Sequence, residues 1–208
     1  METTADDNKI TTLTDQLRVR FKGILDPIGN VLNGFGLMPN TMTILGLVGN
    51  TIGAFLISQG HITLGGILIL LMGPIDALDG TMARLRGMAG DFGAFVDSVT
   101  DRYSELVIFA GLLYYFLQEG NQLALLLVFF AAAGSVLVSY VRARAQSLGY
   151  ETKVGILTRL ERYLVLAPSL VFNIPEIGIW IVAIFANLTA IQRIYDVRRQ
   201  VYERKQKP

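Results

Sequence analysis

Four aspartates, Asp76, Asp79, Asp97 and Asp101, lie in the stretch DALDGTMARLRGMAGDFGAFVDSVTD between two long apolar segments. If the first pair closes one helix and the second opens the next, spacings of three and four residues put each pair on one helical face, and the faces can meet. An aspartate at mid-bilayer costs about 2.5 to 3.5 kcal/mol on insertion scales, so four so close to apolar runs need compensation. Divalent cations are the simplest source of it. Asp is a hard oxygen donor, which points to Mg²⁺ or Mn²⁺. Gly80 and Gly93 fit the same chemistry, because a residue without a side chain lets a backbone or a phosphate come close. Arg84 adds a fixed cation suited to bidentate phosphate contact.

The elements that must hold these residues are apolar. Of the 208 residues 52% are hydrophobic, mean hydropathy is +0.47, and the apolar runs recur at membrane-span length. An all-α polytopic membrane protein is therefore expected. A net charge of +1 gives no case for nucleic-acid binding, and the absence of cysteine excludes disulfides, thiolate catalysis and Cys-ligated zinc. The acidic start METTADDNK has no charged-then-apolar pattern, so no cleaved targeting peptide is expected.

From Ile10 the apolar residues Ile10, Leu13, Leu17, Phe21, Ile24, Ile28, Val31 and Phe35 recur every three or four positions, with Arg18, Lys22 and Asp26 elsewhere on the wheel. This predicts an amphipathic helix lying in the cytoplasmic interface, bent at Pro27. Gly34, Gly36 and Pro39 mark a break, after which Asn40, Thr41 or Thr43 can cap a new helix. Six spans follow, over about 41–59, 62–80, 93–118, 121–146, a short one at 160–173, and 177–195. In the third, Gly93, Asp97, Asp101 and Glu105 recur every four residues, so one acidic stripe must face protein or water. His61 reads as a turn residue, and Gly49 and Gly53 as a GxxxG pair for close helix packing. The short connections near Gly60, Glu119 and Glu176 carry no Lys or Arg. All but one of the eighteen basic residues lie at the opposite side, Arg102 being the exception. The positive-inside rule makes that side cytoplasmic, with Trp180 anchoring the far interface. The expected organisation is a cytoplasmic N-terminus over 1–38, a membrane domain over 39–197 and a basic tail over 198–208. No repeat of 20 to 50 residues is visible.

The spacing DxxDGxxARx₈GxxxDxxxD resembles the signature of the CDP-alcohol phosphotransferase family, matched here by Asp76, Asp79, Gly80, Ala83, Arg84, Gly93, Asp97 and Asp101. The resemblance implies phospholipid biosynthesis at the cell membrane, in which a CDP-linked lipid gives its phosphatidyl group to an alcohol and CMP leaves. It implies two divalent ions held by the four aspartates, with Asp101 as base, and a CDP moiety lying against Asp79, Gly80, Ala83 and Arg84. Pro39, Asn40 and Thr43 resemble the PNxxT stretch of the family, implying nucleotide contact by Asn40 and Thr43, although helix capping explains the same residues. Through SYVRARA and TRLER the chain resembles the inositol-phosphate branch, which implies that Arg142, Arg159 and Arg162 bind a soluble phosphorylated acceptor. Leu160 stands where that branch has proline. Basic cytoplasmic loops would also arise from topology alone. Glycerol 3-phosphate or another alcohol is the alternative acceptor. A cation or proton transporter is the alternative class, though it calls for acids near mid-bilayer and for related halves. Glycine-containing spans and the resemblance together suggest a homodimer.

Overall fold

The computed structural model describes residues 13–87 and 90–206, with side chains described from residue 20 onward except residue 21. The acidic start and Ile10 lie outside the described residues, as do the side chains of Leu13, Leu17, Arg18 and Phe21. Among the described residues all regular structure is helical: α1 (Leu13–Gly34), α2 (Pro39–Ser58), α3 (Ile62–Leu85), α4 (Asp91–Gln118), α5 (Gln122–Ser147), α6 (Arg159–Val171) and α7 (Pro175–Gln206). Three-residue turns join α2 to α3, α4 to α5 and α6 to α7, so each of these pairs is an antiparallel hairpin. The turn glycines Gly60 and Gly120 adopt the left-handed conformation, with φ of 85° and 67°.

The helices close into a ring in which α2 packs on α3, α3 on α6, α6 on α7, α7 on α5, α5 on α4, and α4 back on α2. Ile57, Phe109, Leu112, Phe116, Val128, Leu170, Ile179 and Val182 fill its core. The outer faces carry Phe55, Leu64, Leu71, Leu113, Phe129 and Ile184, all exposed, as a chain solvated by hydrocarbon requires. Four helices, α2, α3, α5 and α7, are long and apolar enough to cross a membrane. Two of the expected spans do not meet that measure. The sequence of α4 has five charged residues between Asp91 and Glu105, and α6 has only 13 residues, about 20 Å of helix.

Several element ends differ from the expectation. Asp76 and Asp79 do not close α3, which continues to Leu85, and Asp97 and Asp101 lie six and ten residues into α4. The polar residues after Asp79 still satisfy a helical backbone, so the end of the apolar run is not the end of the helix. At the start of α2, Pro39 takes the first helical turn behind Met38, and no side chain caps it. The tail expected from residue 198 onward continues α7 to Gln206. In α1, Leu25 and Leu32 pack beside Met82 of α3, while Ile24, Ile28 and Val31, and Phe35 just past its end, face outward.

Candidate active site

The last turns of α3 and the first turns of α4 bring three of the four aspartates together at one end of the ring. Carboxylate oxygens of Asp76, Asp97 and Asp101 all lie within 4.8 Å of one another. Asp79, one turn after Asp76, is buried and separately held: one oxygen accepts from the Thr43 hydroxyl at 2.7 Å and the other from the Gly80 backbone N–H. Thr43, one of three residues that could have capped α2, thus orients a carboxylate of α3. Asn40, one turn before Thr43 on α2, is exposed.

The glycines of the motif differ from the packing glycines of the ring. A Cβ added at Gly49, Gly53, Gly65 or Gly66 would collide with a neighbouring helix, so these allow close helix approach. At Gly93 such an atom would meet nothing within 4 Å, and at Gly80 only the Arg84 guanidinium at 3.4 Å. Packing therefore does not require glycine at either position; the open space beside the carboxylates does fit a bulky anionic ligand. Arg84, exposed beside half-buried Ala83, donates to the Thr81 hydroxyl at 3.0 Å, which holds it along the same face of α3. These residues fit a divalent ion: hard oxygen donors from two helices converge, and the adjoining backbone leaves room.

Helix α6 supplies the cations. Thr158 stands at its N-cap, and its hydroxyl hydrogen-bonds the Glu161 carboxylate, three residues on. Leu160 falls in the first turn, where proline is equally acceptable, so its presence does not disturb the helix start. Arg159 is half-exposed and ion-paired with both Asp76, at 2.6 Å, and Asp101. One turn deeper, Arg162 is 2% exposed and grips Glu105 with two bonds of 2.6 and 3.0 Å, while it also donates to the Leu157 carbonyl. Asp101 and Glu105 are one turn apart on α4, as Arg159 and Arg162 are on α6, so the two helices form a two-rung ladder. Arg102 joins the lower rung, 3.7 Å from Glu105. Arg142 is exposed near the end of α5, within electrostatic range of Arg193.

The structure adds residues that the sequence reading did not use. Glu105 had been visible only as the next step of an acidic stripe. The connection between α5 and α6, which delivers Arg159 and Arg162, is fastened to α7: Arg193 donates to the Val154 carbonyl at 3.0 Å and also to that of Val138 in α5 at 2.7 Å, and the Thr189 hydroxyl accepts from the Leu157 N–H at 3.0 Å. Gly155 lies so close to Thr189, at φ 143°, that a side chain has no room. Nothing in the local sequence of α7 marks these contacts.

The chain resembles known proteins in sequence and in fold. The archaetidylinositol phosphate synthase of Pyrococcus horikoshii is 33% identical over 190 residues, covering 91% of this chain and 98% of the relative. A crystal structure of the Mycobacterium tuberculosis phosphatidylinositol phosphate synthase with CDP-DAG bound superposes with a TM-score of 0.78 at 29% identity, over 84% of this chain and 93% of that one. The same mycobacterial enzyme in complex with manganese and citrate gives a TM-score of 0.79 at 29% identity, over 84% and 88%. The family model for CDP-alcohol phosphatidyltransferase matches residues 36–191, which contain every element of the site. The chain belongs to the CDP-alcohol phosphatidyltransferase family.

Proposed function

We propose that this phosphatidyltransferase moves the phosphatidyl group of CDP-diacylglycerol to a hydroxyl of inositol phosphate and releases CMP. The observation that carries the reading is the meeting of Arg159 with Asp76 and Asp101, which puts a phosphate-binding cation beside the carboxylates of a complete family signature. One relative is an archaetidylinositol phosphate synthase and another a phosphatidylinositol phosphate synthase, which supports the same acceptor.

Asp76, Asp79, Asp97 and Asp101 would hold two Mg²⁺ or Mn²⁺ ions. When bound, such ions screen a diphosphate and stabilise charge on the displaced phosphate oxygens. The CDP group lies over Gly80, Ala83 and Arg84 with Asn40 and Thr43 at its edge, and Thr43 keeps Asp79 turned toward the site. The acceptor phosphate is drawn by Arg142 and Arg159. Arg162, expected beside them, has its guanidinium committed to Glu105 and the Leu157 carbonyl, so it serves by fixing the helix from which Arg159 projects. Asp101 accepts the proton of the attacking hydroxyl. As the new O–P bond forms at the phosphorus that carries the diacylglycerol, the P–O bond to CMP breaks.

The reading includes six spans in the cell membrane, with both termini and the site cytoplasmic. Closure of the ring supports α4 and α6 as spans, because each packs between two apolar neighbours, and no charged residue of α4 follows Glu105. The outward apolar residues of α1 support an interfacial helix. A homodimer with a complete site in each subunit fits, since all site residues come from one chain. Gly49 and Gly53 pack inside that chain against Met72 and Ile69, so the dimer contact must use other faces.

The test is CMP release by purified protein supplied with CDP-diacylglycerol, Mg²⁺ and a panel of acceptors. Inositol phosphate is expected to be used well above glycerol 3-phosphate and unphosphorylated inositol, and chelation is expected to abolish release until Mg²⁺ or Mn²⁺ is restored. Equal use of inositol and inositol phosphate would remove the phosphate pocket. Full turnover in excess chelator would remove the metals.

A further inference from the structure

Pro74 lies inside α3, two residues before Asp76 and five before Asp79. A proline has no N–H, so the carbonyl four residues earlier, that of Leu70, loses its helical donor and is pushed outward by the ring. The Tyr163 hydroxyl of α6 stands at this break. It lies 2.7 Å from the Leu70 carbonyl and 3.0 Å from that of Ile69, to either of which it can donate, and it accepts from the Gly73 N–H at 3.1 Å. Gly73 has no side chain to spare: an added Cβ would collide with the tyrosine hydroxyl. Proline, glycine and tyrosine thus form one inserted contact, of the kind that fixes where and how far a helix bends.

The contact sits on a short lever. Asp79 is about 7 Å along the axis from Pro74, so a 20° change in bend there shifts it by roughly 2.5 Å, more than a metal–oxygen bond of about 2.1 Å tolerates. Tyr163 also belongs to the face of α6 that carries Arg159 and Arg162, one turn on from Arg159. The same face therefore sets both sides of the carboxylate cluster.

We propose that Tyr163 is a positioning residue of the active site, its hydroxyl holding the break at Gly73–Pro74 so that Asp76 and Asp79 stand in register with Asp97 and Asp101. The proposal rests on the reading of the aspartates as metal ligands. It is tested on full-length protein in lipid discs by titrating Mn²⁺ and following the free ion by electron paramagnetic resonance. Tyr163→Phe is expected to bind Mn²⁺ about tenfold more weakly and to lose turnover to a similar degree, while the acceptor KM moves less than about twofold. A lowered thermal midpoint with parental Mn²⁺ affinity would make Tyr163 merely structural and overturn the proposal. A second variant, Tyr163→Phe with Pro74→Ala, gives the Leu70 carbonyl a backbone donor again, so it is expected to recover the thermal midpoint yet still bind Mn²⁺ weakly. Parental affinity in that variant would show that the break itself does not place the aspartates. A parent protein that binds no Mn²⁺ removes the metal reading and this role with it; parental binding in both variants removes the role of Tyr163 alone.

Discussion

Arg159 touches the same two carboxylates, Asp76 and Asp101, that share the oxygen cluster with Asp97. A guanidinium and a divalent ion therefore compete for these oxygens. Because the arginine is half-exposed, solvent weakens its hold, and about 1 kcal/mol is a reasonable value for what the ion must displace. Arg159→Ala is accordingly expected to tighten Mn²⁺ binding roughly fivefold while it raises the inositol phosphate KM by about tenfold or more. Calorimetric Mn²⁺ titration together with acceptor kinetics reads both effects. A variant with weaker Mn²⁺ binding would mean instead that Arg159 shapes the carboxylate cluster. An unchanged acceptor KM would take this residue out of the phosphate pocket.

Between elements, the α4–α6 ladder explains why a 13-residue helix can be trusted with an active-site cation. In its lower rung Arg162 is buried and Glu105 half-buried, and removing one member of such a pair costs up to about 3 to 5 kcal/mol because the other charge is stranded. Replacing both by apolar residues of similar volume is often neutral. Arg162→Met alone and Glu105→Leu alone are therefore expected to lower the thermal midpoint sharply, and the double variant to recover most of it. If the double variant also keeps its acceptor KM, Arg162 acts through α6. A large KM increase in a stable double variant would instead return Arg162 to the acceptor. At the other end of the ring, Gln118 donates to the Ser58 carbonyl and Asn121 to the Glu176 carboxylate, both at 2.7 Å, so amide hydrogen bonds rather than ion pairs join the turns where the sequence carries no Lys or Arg.

For the molecule as a whole, the asymmetry of its two ends is the governing feature. The aspartates, Arg159 and the basic end of α7 share one end, and the three short turns share the other. Acids gathered at an end rather than at mid-bundle suit chemistry between a lipid and a soluble partner better than ion passage. Orientation is open to a direct measurement, since the chain has no cysteine to confuse labelling. In intact cells, Gly60→Cys is expected to react with an impermeant maleimide and Lys153→Cys only after the membrane is opened. The reverse pattern would place the site on the outer face.

The helical class, the apolar segments and the aspartate motif were all legible in the chain, because hydrocarbon solvation and metal chemistry both act on residue types at fixed local spacing. The two kinds of glycine were legible too: Gly80 and Gly93 border open space, while Gly49 and Gly53, read as a packing pair, border another helix. Helix ends were misjudged where polarity was taken for termination: α3 runs six residues beyond Asp79 and α7 runs through the basic tail, since a helix satisfies its backbone whatever its side chains prefer. The partners of charged groups were beyond reach of local pattern. Arg162 and Arg159 are three residues apart in the same motif, yet one is buried against Glu105 and the other meets Asp76 and Asp101. Which of them keeps a guanidinium available to a ligand depends on how deeply each turn of α6 enters the ring. That depth is set by contacts with α3, α4 and α7, up to 94 residues away in sequence.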